Sequence, residues 1–101
     1  MSIIFPSGTN YTPNQIRTVN LSTGTALFYE KLRFTNHFTQ YAGISESECW
    51  RNCLSLEKCV AIIYLDGGCC YDPPVTCWLY TKDYVLNRDT SNWKVYAKRP
   101  L

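Results

Sequence analysis

The stretch Ser45-Glu46-Ser47-Glu48-Cys49-Trp50-Arg51-Asn52-Cys53, followed by Cys59-Val60-Ala61-Ile62-Ile63-Tyr64, then Cys69-Cys70, then Cys77-Trp78-Leu79-Tyr80, holds every cysteine of the chain. Its first part carries a helix start. Ser45 is placed to cap the backbone, and Glu48, three residues on, to reach back to the Ser45 amide. Ile44 and Cys49 form the small apolar staple that accompanies such a start. Cys49 and Cys53 are four residues apart, so both thiols leave one helical face, one turn from each other. Cys49, Trp50, Cys53, Leu54 and Leu56 make one apolar stripe over Glu46 to Leu56, which predicts a helix laid on a sheet. Cys59 to Leu65 is mostly β-branched or aromatic and uncharged, as a central buried strand is. Cys77 to Tyr80 continues as another strand. A helix with two cysteines on one face, followed by two strands that each begin at a cysteine, predicts a helix tied to a sheet by two disulfides.

Working outward, Asp66-Gly67-Gly68 reads as a turn, and Pro73-Pro74 lies in the loop before the next strand. Lys82 to Asn92 is a polar crossover, Trp93-Lys94-Val95-Tyr96 alternates as a closing strand, and Lys98-Arg99-Pro100 is a tail. Upstream, Ala26 to Glu30 and Leu32 to Phe38 are strand-like, with Asn36-His37 marking a turn. Met1 to Thr25 is polar and punctuated by Pro6, Gly8, Pro13 and Gly24; it reads as an arm with one short strand near Ile16 to Leu21. The plan is therefore an arm or first strand over 1–25 and one domain over 26–99.

A chain of 101 residues has room for one small domain, and 46% hydrophobic with 18% charged residues is a globular composition. A net charge of +2 is far from the basic bias of nucleic-acid binders. Six cysteines in so short a chain favour disulfides over metal. The helical pair is C-x3-C and not the C-x2-C of zinc ribbons, and the one histidine, His37, stands well before the cluster. No metal or other cofactor is expected. The apolar run Ala61 to Leu65 is too short to span a bilayer, and Ile3-Ile4-Phe5 is too short for the core of a signal peptide. Disulfides without a leader suggest a mature domain, or a piece of a larger secreted protein with Met1 as an added start.

The helix pair Cys49-x3-Cys53, the strand Cys59-x-x-Ile62-x-Tyr64, the later Cys77-x-Leu79 and the terminal Trp93-Lys94-Val95-Tyr96 together resemble a PAN/apple domain, over roughly residues 27–98. Ile62 stands where that family usually has Phe. The resemblance implies an α+β fold, a curved antiparallel sheet of about five strands wrapped around one helix. It also implies a pairing that sequence alone leaves open: Cys53–Cys59 and Cys49–Cys77. Loop closure gives these roughly 2.4 and roughly 3.6 kcal/mol respectively. No cysteine lies near either end, so the chain looks like the short PAN form without a disulfide joining the termini. Cys69-Cys70 is additional to the frame. A vicinal disulfide, two free thiols, a bridge to a partner chain and a re-paired frame all remain open for it.

No nucleophile, base and orienting acid converge in a readable motif, and Gly67-Gly68 is a turn and not a phosphate loop, so no enzyme is expected. The resemblance implies an extracellular module for protein recognition or adhesion within a larger secreted or surface protein; the weak net charge and the short apolar runs add the expectation that it is neither bound to nucleic acid nor inserted in the membrane. A lectin-like module is the alternative, because some apple domains bind sugars. Tyr71 and Asp72 with Tyr80, Lys82, Asp83 and Tyr84 are the candidate ligand residues, aromatics for stacking beside polar groups for hydroxyls. The opposing reading makes these aromatics strand edges and loop cover. Lys82, Arg88, Lys94, Lys98 and Arg99 crowd the last fifth of the chain against only Asp83 and Asp89, a feature compatible with sulfated glycans or with an ordinary solvated face. Asn10-Tyr11-Thr12 and Asn20-Leu21-Ser22 are glycosylation sequons, making Asn10 and Asn20 candidate surface sites.

Overall fold

The computed structural model of the chain describes residues 16–29, 32–88 and 93–100. Their elements run β1 (Ile16–Leu21), β2 (Gly24–Tyr29), β3 (Leu32–Thr35), β4 (Thr39–Ala42), α1 (Glu46–Ser55), β5 (Ala61–Cys69), β6 (Val75–Tyr80), β7 (Val85–Arg88) and β8 (Lys94–Ala97). Six of the strands form one sheet in the order β1-β2-β8-β5-β6-β4, and β3 and β7 form a separate two-stranded ribbon. Every pairing is antiparallel. The fold is α+β, as the resemblance implies, but the main sheet has six strands where about five are expected. The strand near Ile16 to Leu21 is the edge strand β1, in register with β2 from Ile16 opposite Tyr29 to Leu21 opposite Gly24.

The strands with the strongest apolar signal take the centre. In β5, Ala61 to Tyr64 are buried at every position, and so is all of β6. Both faces of the sheet must therefore be covered. On one face Ile62, Tyr64, Cys77, Leu79 and Tyr96 pack with α1 through Cys49, Trp50 and Cys53. On the other, Ala61, Ile63, Trp78, Tyr80 and Val95 pack with Phe34 of β3. Tyr84, just before β7, is packed against the same cluster, its ring 5.0 Å from that of Phe34. Alternation of side chains along β5 and β6 thus sorts one uncharged run into two half-cores.

The helix begins at the expected cap, through one half of the expected capping box: among the described residues the return bond from the Ser45 amide to the Glu48 side chain is not formed. Ser45 has extended backbone, its Oγ accepts from the Glu48 amide at 3.2 Å, and Cys49 N–H donates to the Ser45 carbonyl at 2.9 Å. Ile44 packs with the cluster that holds Cys49. The helix ends at Ser55; Leu56 is its cap and donates from its amide to the Cys53 carbonyl. The Ile44 carbonyl accepts from the Thr76 hydroxyl at 2.8 Å and from the Tyr64 hydroxyl at 3.4 Å, which fixes the helix start over β5 and β6.

Two disulfides lock that position. Cys49–Cys77 joins α1 to β6 with Cα atoms 5.6 Å apart, and Cys53–Cys59 joins the last turn of α1 to the lead-in of β5 at 5.2 Å. These are the pairs that the PAN/apple resemblance implies. Cys69 and Cys70 are joined to each other. The strands do not begin at their cysteines: Cys59 precedes β5 by two residues, and Cys77 is the third residue of β6. Nor do Asp66-Gly67-Gly68 end a strand. They lie inside β5 in a wide register shift, since Tyr64 opposes Cys77 and the next pair is Cys69 with Val75. Both glycines have positive φ, which is why the irregularity is built from glycine. At Gly68 an added Cβ would meet Pro74 at 2.7 Å and the Val75 carbonyl at 2.9 Å, so the backbones of the two strands close on it. The polar crossover over 82–92 contains β7, paired with β3. A four-residue strand in a two-stranded ribbon needs no long apolar run, so composition hides it.

Candidate functional site

One cleft is lined by Phe34 and another by Tyr84, and the two rings meet between them. The first holds about 260 Å³ and is walled largely by aromatic rings. Trp78 and Trp93 meet edge to face with centroids 5.3 Å apart. Phe34 lies beneath, in edge contact with Tyr80 at 5.2 Å, and His37 stands at the mouth. Tyr71, 60% exposed, and the Cys69–Cys70 pair form the opposite rim. Ile63 and Trp78, both buried, form the floor of the cleft.

The second cleft is a groove of about 580 Å³. Val60, Tyr84 and Pro100 supply its apolar surface, and Lys82, Lys98, Arg99 and Glu57 its charges. Its backbone is tightly tied. Val60 N–H donates to the Tyr80 carbonyl at 2.8 Å, Lys98 N–H to the Val60 carbonyl at 3.0 Å, and Tyr84 N–H to the Thr81 carbonyl at 3.1 Å. Burial, and secondarily the neighbouring Arg99, push the Lys98 ammonium below its ordinary value, with Glu57 opposing. Lys98 Nζ donates to the Leu56 carbonyl at 2.9 Å, so this cation also closes the helix C-terminus. Burial pushes the Tyr84 phenol above its ordinary value.

The six candidate ligand residues do not form one site. Tyr71 and Tyr80 line the aromatic cleft, while Lys82 and Tyr84 line the groove. Tyr80 is core, 4% exposed, with its hydroxyl donating to the Phe34 carbonyl at 3.3 Å; its polar end serves the ribbon. Asp72 is exposed and lines neither cleft, and Asp83 is exposed with its carbonyl held by Asn36 Nδ2 at 2.9 Å. The basic cluster also divides. Lys82, Lys98 and Arg99 converge, whereas Lys94 is engaged by Glu46 at 3.3 Å and Asp66 at 3.0 Å. Glu46 accepts from Tyr96 as well, at 3.0 Å, so this charge group pins α1 to β8 and to the irregular part of β5. The Arg88 side chain lies outside the described residues, as do Asn10 and Asp89. Asn20 is exposed on the edge strand β1.

Trp78, Trp93 and His37 are cleft residues that the chain order conceals. Trp78 and Trp93 are brought together because β5 pairs with both β6 and β8, and His37 joins them through the pairing of β4 with β6, long-range facts with no local signal. Among the described residues no group of His, Cys, Asp and Glu is arranged to hold a metal ion, and no helix is long and apolar enough to cross a membrane. Three disulfides are compatible with an oxidising, extracellular setting. Comparison with protein-family models, with curated proteins and with solved structures gives no match for this chain.

Proposed function

We propose that the chain is an extracellular binding module of PAN/apple type, part of a larger secreted or surface protein, that mediates protein recognition or adhesion. The observation that carries this reading is the aromatic cleft on the sheet face away from the stapled helix. A partner side chain inserted between Tyr71 and Trp93 would bury large rigid rings at little cost in conformational entropy, the usual character of an interface anchor. The scaffold supports it: two disulfides fix the helix on one face and leave the other face to carry recognition. The frame of cysteines, with its pairing, is what supports the PAN/apple part of this reading.

A second reading, carbohydrate binding, is favoured by the polar groups beside those rings. Thr35, Asn36 and His37 line the same cleft as Tyr71 and Trp93, so a sugar ring stacked on an aromatic face would have hydroxyl partners within the cleft. A paired screen separates the readings: the oxidised domain is tested on a glycan array and on a panel of extracellular ectodomains, each repeated with Tyr71→Ala and Trp93→Ala. Selective ectodomain binding that both changes weaken supports protein recognition. Selective glycan binding that both weaken supports the lectin. Binding of either kind that both variants retain in full would contradict the cleft as the site.

A further inference from the structure

We infer that the groove between Lys82, Lys98 and Arg99 is a second ligand site, one that takes an acidic glycan. This rests on the extracellular reading above but uses different residues from the aromatic cleft. The cations come from separate parts of the chain, one after β6 and two after β8, and backbone hydrogen bonds through Val60 hold these segments side by side. Their arrangement is thus a property of the fold, not of one flexible tail. Among the described residues neither Lys82 nor Arg99 has an ion-pair partner, in contrast to Lys94, which has two. Among the described residues Glu57 is the only acidic side chain lining the groove. Three cations against one described carboxylate leave a net positive charge beside a low-dielectric wall, the arrangement that concentrates anions.

The floor identifies the class of anion. Tyr84 is half-buried, with one side of its ring against Phe34, and Val60 and Pro100 extend the apolar surface beside it. A bare inorganic anion has no use for such a floor. A sugar ring has an apolar face to lay on it, and its sulfate or carboxylate groups then meet the lysines and the arginine at the rim. The volume, about 580 Å³, lies in the range of ordinary ligand sites.

The test uses the oxidised chain and three probes at physiological salt: a heparin-derived hexasaccharide, a hyaluronan hexasaccharide carrying carboxylates only, and a poly-glutamate peptide of equal charge. Lys82→Ala and Arg99→Ala are compared with Arg51→Ala, an exposed cation of α1 outside the groove. Lys98 is left intact because its ammonium closes the helix end. Melting temperature is recorded for each variant so that lost binding is not lost fold. Expected are saturable binding of an acidic hexasaccharide and an affinity loss on the order of fivefold for each groove variant, with a shallower salt dependence when both are combined. Arg51→Ala should bind as the unaltered chain does. Heparin against hyaluronan then tells sulfate from carboxylate. Failure of both hexasaccharides, equal loss in Arg51→Ala, or preference for poly-glutamate would each overturn the proposal. Such a result would leave the aromatic-cleft reading standing, since Tyr71 and Trp93 are untouched by these variants.

Discussion

Removing each interior disulfide as a pair gives a graded test of how the scaffold is held. Cys49–Cys77 spans 28 residues of sequence and Cys53–Cys59 spans 6. Loop-closure entropy then assigns about 3.6 kcal/mol to the long bridge and about 2.4 kcal/mol to the short one. All four cysteines are fully buried, so replacing either pair with alanine removes similar sulfur volume, and the difference of about 1.2 kcal/mol is left to the loops. For a domain of this size each kcal/mol moves the melting temperature by roughly 4–8 °C. Cys49→Ala with Cys77→Ala should therefore melt roughly 15–30 °C below the intact chain. Cys53→Ala with Cys59→Ala should melt about 5–10 °C above that first variant. The assay is thermal unfolding followed by tryptophan fluorescence, which reads Trp50 beneath the helix and Trp78 on the opposite face. The reverse order, with the short-loop variant the less stable, would refute the reasoning, because it would place the main constraint at the helix end and not across the helix–sheet contact.

Three further outcomes are expected. Ser45→Ala removes the side-chain acceptor of the Glu48 amide and should cost about 1 kcal/mol by chemical denaturation; no change would mean that the cap is not formed in solution. Gly68→Ala should cost about 2–4 kcal/mol, because strain at positive φ is added to contact with Pro74 and the Val75 carbonyl. Gly67→Ala, with nothing within 4 Å of its Cβ, should cost only about 1 kcal/mol, and equal melting temperatures for the two would contradict the close approach of the strands. Lys94 is held charged chiefly by its hydrogen bond to Asp66, with further help from Glu46, and its folded value lies above the ordinary 10.5. Its contribution is therefore fully present below that ordinary value and is lost as pH rises through the higher folded one. The stability gap between the unaltered chain and Lys94→Met should hold steady at neutral pH and close in strong alkali; a gap that widens there would reverse the assigned sign.

Local chemistry explains which parts of this architecture can be read in advance. Ser45, Glu48 and the Cys49–Cys53 spacing announce the helix, its start and the face it buries, because caps and helical periodicity act over four residues. The uncharged run from Val60 to Leu65 announces a central strand for the same reason. By contrast β7 is hidden in a polar segment, and the Gly67-Gly68 irregularity looks like a turn, since a glycine pair signals positive φ without saying whether the chain reverses. The candidate site is less legible still. Tyr71 and Tyr80 look alike in sequence, yet one is exposed on a rim and the other buried with its hydroxyl on the Phe34 carbonyl. Lys82 and Arg99 become neighbours only because β5 lies between β6 and β8. Such convergence is set by strand order, which no short window of residues contains.

The claim that the sheet face away from α1 carries recognition has a direct test in hydroxyl-radical footprinting of the oxidised domain with the partner or glycan found in the paired screen. Protection concentrated on Tyr71, Trp93 and His37, with Arg51 and Leu54 on α1 still reactive, is the predicted result. Protection centred on Arg51 and Leu54, with Tyr71 as reactive as in the free chain, would contradict it.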